Sequence, residues 1–272
     1  MPSLRVLAAF VFLLAPLAHA QKPATPDAPP QTAVPTDTAL NPALPTVFVV
    51  GDSTARNGAD LGWGDHFAPL FDTTRINVAN RAMAGRSSRT YINEGRWDRV
   101  LAEMKAGDFV LIQMGHNDGG DLGGAKPRGT LKGIGDETQD VPQTTGPLAG
   151  KVETVHTYGW YLRKYIADTR AKGATPILLT CTIRNIWKDG QIERDMGYRD
   201  FEDQVAAAQH VPIADMASLE ADRLQGLGPE KAAALFPIDH THSSPEGAAL
   251  NARDVASALR TIKSPLAAYL KP

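Results

Sequence analysis

Four short segments of the chain hold the residue types that ester chemistry needs. Gly51-Asp52-Ser53 closes an apolar run, and Gly85 sits in the turn of NRAMAGRSSRT (80–90). Gly115-His116-Asn117-Asp118 follows another apolar run, and Asp239-His240-Thr241-His242 lies near the C-terminal end. A serine hydroxyl attacks a carbonyl carbon once a base takes its proton. His242 suits that task, because imidazole gains and loses a proton near neutral pH. Asp239, three residues earlier, can orient the ring and stabilise its charged form. The developing oxyanion needs donors. The backbone N–H groups of Ser53 and Gly85 and the side-chain amide of Asn117 can supply three, and Gly85 lets backbone approach a substrate.

Each of these residues also has a plainer use. Ser is a favoured helix N-cap. A phosphate loop is poorly supported, since no G-x-x-x-x-G-K-[ST] follows the first run. Asn117 can bond its own backbone in a turn. Asp239-His240-x-His242, joined by His116 and Asp118, is also a possible metal-ligand set. The serine reading is preferred because a metal hydrolase would leave Ser53 without a task. It requires no metal and no cofactor.

The elements that must position these residues are legible as five short runs: TVFVV (46–50), RINVA (75–79), FVLIQM (109–114), PILLTC (176–181) and VPIA (211–214). Their length and β-branched content predict buried strands. Helical patterns lie between several of them. In 151–172, Val155, Tyr158, Leu162, Tyr165 and Ile166 share one face, and Gly173 ends the segment. Near the C-terminus Ala248, Ala252, Val255, Leu259 and Ile262 form one apolar stripe. Either Ser244-Pro245 or a Ser243-x-x-Glu246 capping box starts that helix. Alternating strands and helices predict a parallel sheet covered on both faces, with ligands outside the carboxyl ends of its strands. Residues 119–150, with nine glycines, read as a long loop leaving the Asn117 turn.

The blocks GDSTA, GWGD (62–65), NRAMAGRSSRT, GHND and DHTHSS occur in this order. Together they resemble the SGNH (GDSL-like) hydrolases, and more closely the rhamnogalacturonan acetylesterase branch, from about Val47 to Arg260. The resemblance implies a three-layer α/β/α sandwich around a five-stranded parallel sheet. It also implies Ser53 as nucleophile, Gly85 and Asn117 completing the oxyanion hole with Ser53, and Asp239 and His242 completing a triad. The expected activity is removal of O-acetyl groups from a plant cell-wall polysaccharide, most of all rhamnogalacturonan. Xylan or small esters, or a silent glycan-binding protein on the same fold, are the alternatives.

The rest of the chain sets the context. MPSLRVLAAFVFLLAPLAHA (1–20) has the n-region, apolar core and A-x-A site of a secretory signal peptide. Residues 21–45 hold seven prolines and no aromatic residue, which predicts a flexible linker before a catalytic domain at 46–272. A secreted or periplasmic monomer is expected, free of the membrane after signal cleavage. The net charge of −2 argues against a nucleic-acid partner. The one cysteine, Cys181, lies in an apolar run and reads as a buried, inert thiol. Arg56, Arg81, Arg86, Arg89 and Arg184 follow strands. Arg86 and Arg184, with His116, are candidate substrate contacts, because arginine suits bidentate carboxylate recognition. Solvated charge or internal pairing is the plainer use for each. The tryptophans read mainly as core residues.

Overall fold

A computed structural model of the chain describes residues 39–58 and 60–272. The expected signal peptide and most of the expected linker lie outside the described residues. Strands β1 (Thr46–Gly51), β2 (Asn77–Asn80) and β3 (Phe109–Gln113) come first, with helices α1 (Ser88–Asn93) and α2 (Arg96–Glu103) between β2 and β3. A hairpin of β4 (Thr138–Pro142) and β5 (Val152–His156) follows, then α3 (Tyr158–Ala171) and β6 (Thr175–Leu179). A two-residue hairpin, β7 (Trp187–Lys188) and β8 (Gln191–Ile192), precedes α4 (Arg199–Gln209), β9 (Ile213–Ala214), α5 (Met216–Ala233) and α6 (Pro245–Thr261).

Five strands form one sheet in the order β2-β1-β3-β6-β9, and all four pairings are parallel. Side chains alternate across a strand, so both faces of β1 need cover. Phe48 and Val50 join Val110, Ile112 and Leu178 under α2, α3 and α4. Val47 and Val49 join Leu111, Ile177 and Leu179 under α6. The result is the expected three-layer α/β/α sandwich. The order reverses direction at β1 and β3, and in sheets of this kind the crevice beyond that point is the ligand site. Among the described residues no helix is long and apolar enough to cross a membrane.

Two elements depart from the sequence reading. The segment predicted as helix from 151 is strand until His156. Helix α3 starts only after Thr157, whose side chain accepts from the Trp160 N–H. Val155 is fully buried, which put it in phase with the helical face, but it belongs to β5. The 119–150 loop is not structureless either, because Thr138–Pro142 pairs antiparallel with Val152–His156. At the other helix start, Ser244 is the cap: its side chain accepts from the Gly247 N–H, with Pro245 at the first helical position. Residues 40–45 run along the domain, with Leu40 against the core and the Asn41 N–H donating to Asn77 Oδ1 at 3.0 Å.

Candidate active site

Ser53 occupies the turn that leaves β1, and three segments hold that turn. Asp52 caps it from within: its Oδ1 accepts from the Thr54 N–H at 2.9 Å, and the Ala55 and Arg56 N–H groups reach its carbonyl. The 62–65 segment runs against it, with Trp63 and Gly64 N–H groups donating to Thr54 O and Ala55 O, each at 3.0 Å. Gly62 permits that approach, since a Cβ there would stand 2.4 Å from Ala55 backbone. Asp65 then accepts from Arg56 Nε at 3.1 Å and Asn80 Nδ2 at 2.8 Å. Beneath lies Gln113, a polar residue inside the apolar β3 run. Its Oε1 accepts from Trp63 Nε1 at 2.8 Å.

The chain-distant DHTH segment meets this turn directly. His242 Nε2 stands 2.9 Å from Ser53 Oγ, and His242 Nδ1 stands 2.7 Å from Asp239 Oδ2. The second carboxylate oxygen accepts the backbone N–H groups of Thr241 and His242, at 2.7 and 2.8 Å. Burial would raise the Asp239 carboxyl, but the His242 ring and these two N–H groups outweigh it and hold it below the ordinary carboxylate range. Asp239 is therefore an anion facing one ring nitrogen, while the other nitrogen faces the hydroxyl. Such a line can take a proton from Ser53 and carry the resulting charge.

The loops after β2 and β3 close against each other on the far side of Ser53. Asn117 Nδ2 donates one of its two hydrogens to Arg86 O at 2.9 Å, which fixes the amide and leaves the second hydrogen for another acceptor. Gly85 adopts φ +77°, a left-handed conformation that disfavours side chains. Asp118 turns away from the line and accepts from the N–H and hydroxyl of Ser88. Burial pushes its carboxyl up to about 7. His116 turns the other way, with Nδ1 3.2 Å from Asp52 Oδ2 and Nε2 3.1 Å from Thr182 O. Nε2 also stands 3.1 Å from Thr182 Oγ1. The ring's burial would depress its proton affinity, yet Asp52 overrides this and raises it. Asp52 itself, also disfavoured as an anion by burial, is held low by the same partner. Their buried contact stitches the turn after β1 to the loops after β3 and β6. His116 and Asp118 are thus engaged away from Asp239 and His242. Among the described residues no group of three or more His, Cys, Asp or Glu side chains gathers in a metal-binding arrangement.

The arginines divide into two kinds. Arg56, Arg81, Arg86 and Arg89 pair with Asp65, Glu103, Glu94 and Glu153. Arg86, a candidate substrate contact in the sequence, spends Nε on Glu94 at 2.9 Å and Nη1 on Ala84 O at 2.8 Å. Among the described residues Arg184 makes no ion pair, and neither does Arg128, which sequence reasoning passed over; the Nε of each is buried without a partner, as is that of Arg89. Arg128 sits in a glycine-rich loop where a single cation reads as solvated charge, so no pattern could have singled it out.

Residues 49–250 match the model of the GDSL-like lipase/acylhydrolase family. The chain is 33% identical over 209 residues to a rhamnogalacturonan acetylesterase of Emericella nidulans, covering 75% of this chain and 80% of that one. It is 32% identical over 230 residues to the probable rhamnogalacturonan acetylesterase YesY of Bacillus subtilis, covering 81% and 94%. In fold it is similar to the crystal structure of YxiM of Bacillus subtilis, with a TM-score of 0.63, 23% identity, and 82% and 58% coverage. It is also similar to an acetylxylan esterase from Geobacillus stearothermophilus, with a TM-score of 0.51, 20% identity, and 80% and 94% coverage. The chain belongs to the GDSL-like lipase/acylhydrolase family and is a hydrolase of carboxylic esters.

Proposed function

We propose that the protein is an exported serine esterase that removes O-acetyl groups from rhamnogalacturonan. The observation that carries the reading is the hydrogen-bonded line from Ser53 through His242 to Asp239 at the β1–β3 crevice. Its acetyl and rhamnogalacturonan parts rest on the names of the relatives that match most of the chain. Ser53 Oγ attacks the acetyl carbonyl carbon while His242 Nε2 takes its proton. Asp239 stays ionised and stabilises the imidazolium. The oxyanion is held by the N–H groups of Ser53 and Gly85 and by the unspent hydrogen of Asn117 Nδ2. The tetrahedral adduct collapses, the imidazolium gives its proton to the departing sugar oxygen, and an acetyl-serine remains. Water, deprotonated by His242, attacks that ester. Acetate leaves and Ser53 regains its proton.

Acetate release from acetylated rhamnogalacturonan and acetylated xylan, by wild type and by Ser53→Ala, tests both halves. Wild type is expected to favour rhamnogalacturonan, and Ser53→Ala to lose roughly 10³-fold or more. Equal release by the two proteins would remove Ser53 as nucleophile. Preference for xylan would remove the substrate assignment.

A further inference from the structure

An arginine that folds with its guanidinium unpaired costs desolvation without return, unless a ligand supplies the missing anion. Four strand-end arginines of this protein pair with carboxylates. Among the described residues Arg128 and Arg184 meet no carboxylate, and each is half-buried.

Both stand beside the site, on different sides. Arg128 Nη1 lies 3.5 Å from Gly85 O, on the loop after β2. Its own loop is pinned there, since the Gly129 and Thr130 N–H groups donate to Asp121 O and Asp118 O. Arg184 follows β6. The neighbouring Asn185 N–H donates to His240 O at 2.7 Å, which ties this loop to the segment bearing Asp239 and His242. Arg184 is near enough to His116 for its charge to oppose protonation of that ring. In the sheet order β2-β1-β3-β6 the Ser53 turn therefore lies between them.

We infer that Arg128 and Arg184 are specificity-determining residues that each bind the carboxylate of an acidic sugar, on either side of the acetylated unit held at Ser53. This rests on the carbohydrate-esterase reading above and adds the groups that select an anionic glycan. A guanidinium presents a planar fork that matches a carboxylate with two parallel hydrogen bonds. Two cations separated across the crevice fit a polymer with spaced carboxylates better than a single small anion.

Two measurements test the inference. The first is the ratio of kcat/KM for acetate release from acetylated rhamnogalacturonan to that from acetylated xylan. The second is the competitive inhibition constant of an oligogalacturonate against hydrolysis of p-nitrophenyl acetate, with a neutral xylo-oligosaccharide as comparison. Arg128→Gln and Arg184→Gln are each expected to lower the ratio and raise the inhibition constant about tenfold, through KM rather than kcat. Lysine at either position should restore part of the loss. Methyl esterification of the polymer's carboxylates should reproduce the loss in the wild type, where no folding defect can intervene. Unchanged ratio and inhibition constant in both variants, or indifference of the wild type to methyl esterification, overturns the inference. The inhibition arm reads carboxylate binding even if no glycan is deacetylated, so failure of the substrate assignment shows separately.

Discussion

Asp52 sits one residue before Ser53, and its carboxylate is fully buried against the His116 ring. The pair has a definite pH signature. His116 is raised, so its contribution to stability is complete below the unfolded histidine value of about 6.5 and is lost as pH rises through the folded value. Asp52 is lowered, so its contribution is complete above the unfolded aspartate value of about 3.9 and is lost as pH falls through the folded value. The pair therefore stabilises most between those two limits. Asp52→Asn leaves an uncompensated buried imidazole and is expected to cost about 3 kcal/mol near pH 5.5, with a smaller penalty near pH 9. Urea unfolding of both proteins at the two pH values measures this, and a penalty independent of pH would refute the pairing. Much of the candidate site was legible, because Ser53, His116, Asn117, Asp239 and His242 all sit in short polar blocks, most of them directly after apolar runs. The internal uses of His116 and Arg86 were not. They depend on Asp52 lying opposite one and Glu94 opposite the other, and no spacing rule encodes such partners. Gln113 was hidden for a related reason, as one amide inside an apolar strand gives no periodic signal.

The helices and strands differ in how openly the sequence announces them. Strands β1, β3 and β6 are buried on both faces, so each reads as a largely apolar run. The β4–β5 hairpin does not, since most residues of TQDVP and VETVH are exposed or only partly buried and apolar and polar side chains are mixed in both. The C-terminal end of α3 was legible because it depends on one residue. Gly173 takes φ +72°, its N–H donates to Arg170 O, and the Ala174 N–H reaches back to Thr169 O. This is a Schellman stop. A Cβ at Gly173 would also come within 3.0 Å of the Ala106 Cβ. Gly173→Ala is therefore expected to destabilise by about 1–2 kcal/mol. Gly226 lies in the last turn of α5 before its kink at Gly228 and Pro229, with open space around its Cβ position and no positive φ. Gly226→Ala is expected to stabilise by about 0.5–1 kcal/mol. Thermal melts of the two variants should move in opposite directions, and a shared direction would contradict this account of the two backbones.

At the scale of the whole molecule, two cores flank one sheet and the site sits where the strand order reverses. Long α6 shows how much depends on the outer layers. Its buried Ala252, Val255 and Leu259 pack on the face that carries Val47 and Val49. The 272 residues contain a single sulfhydryl, that of Cys181. It is buried beside Met114 O and Glu202, and burial keeps it protonated far beyond neutral pH. Within one chain no covalent cross-link is possible, and the one sulfur is shielded from partners outside it. The native state then owes nothing to oxidation. Melting temperature and specific activity should be identical with and without dithiothreitol, and a host whose cytosol is rich in glutathione should yield the same active enzyme as an oxidising one.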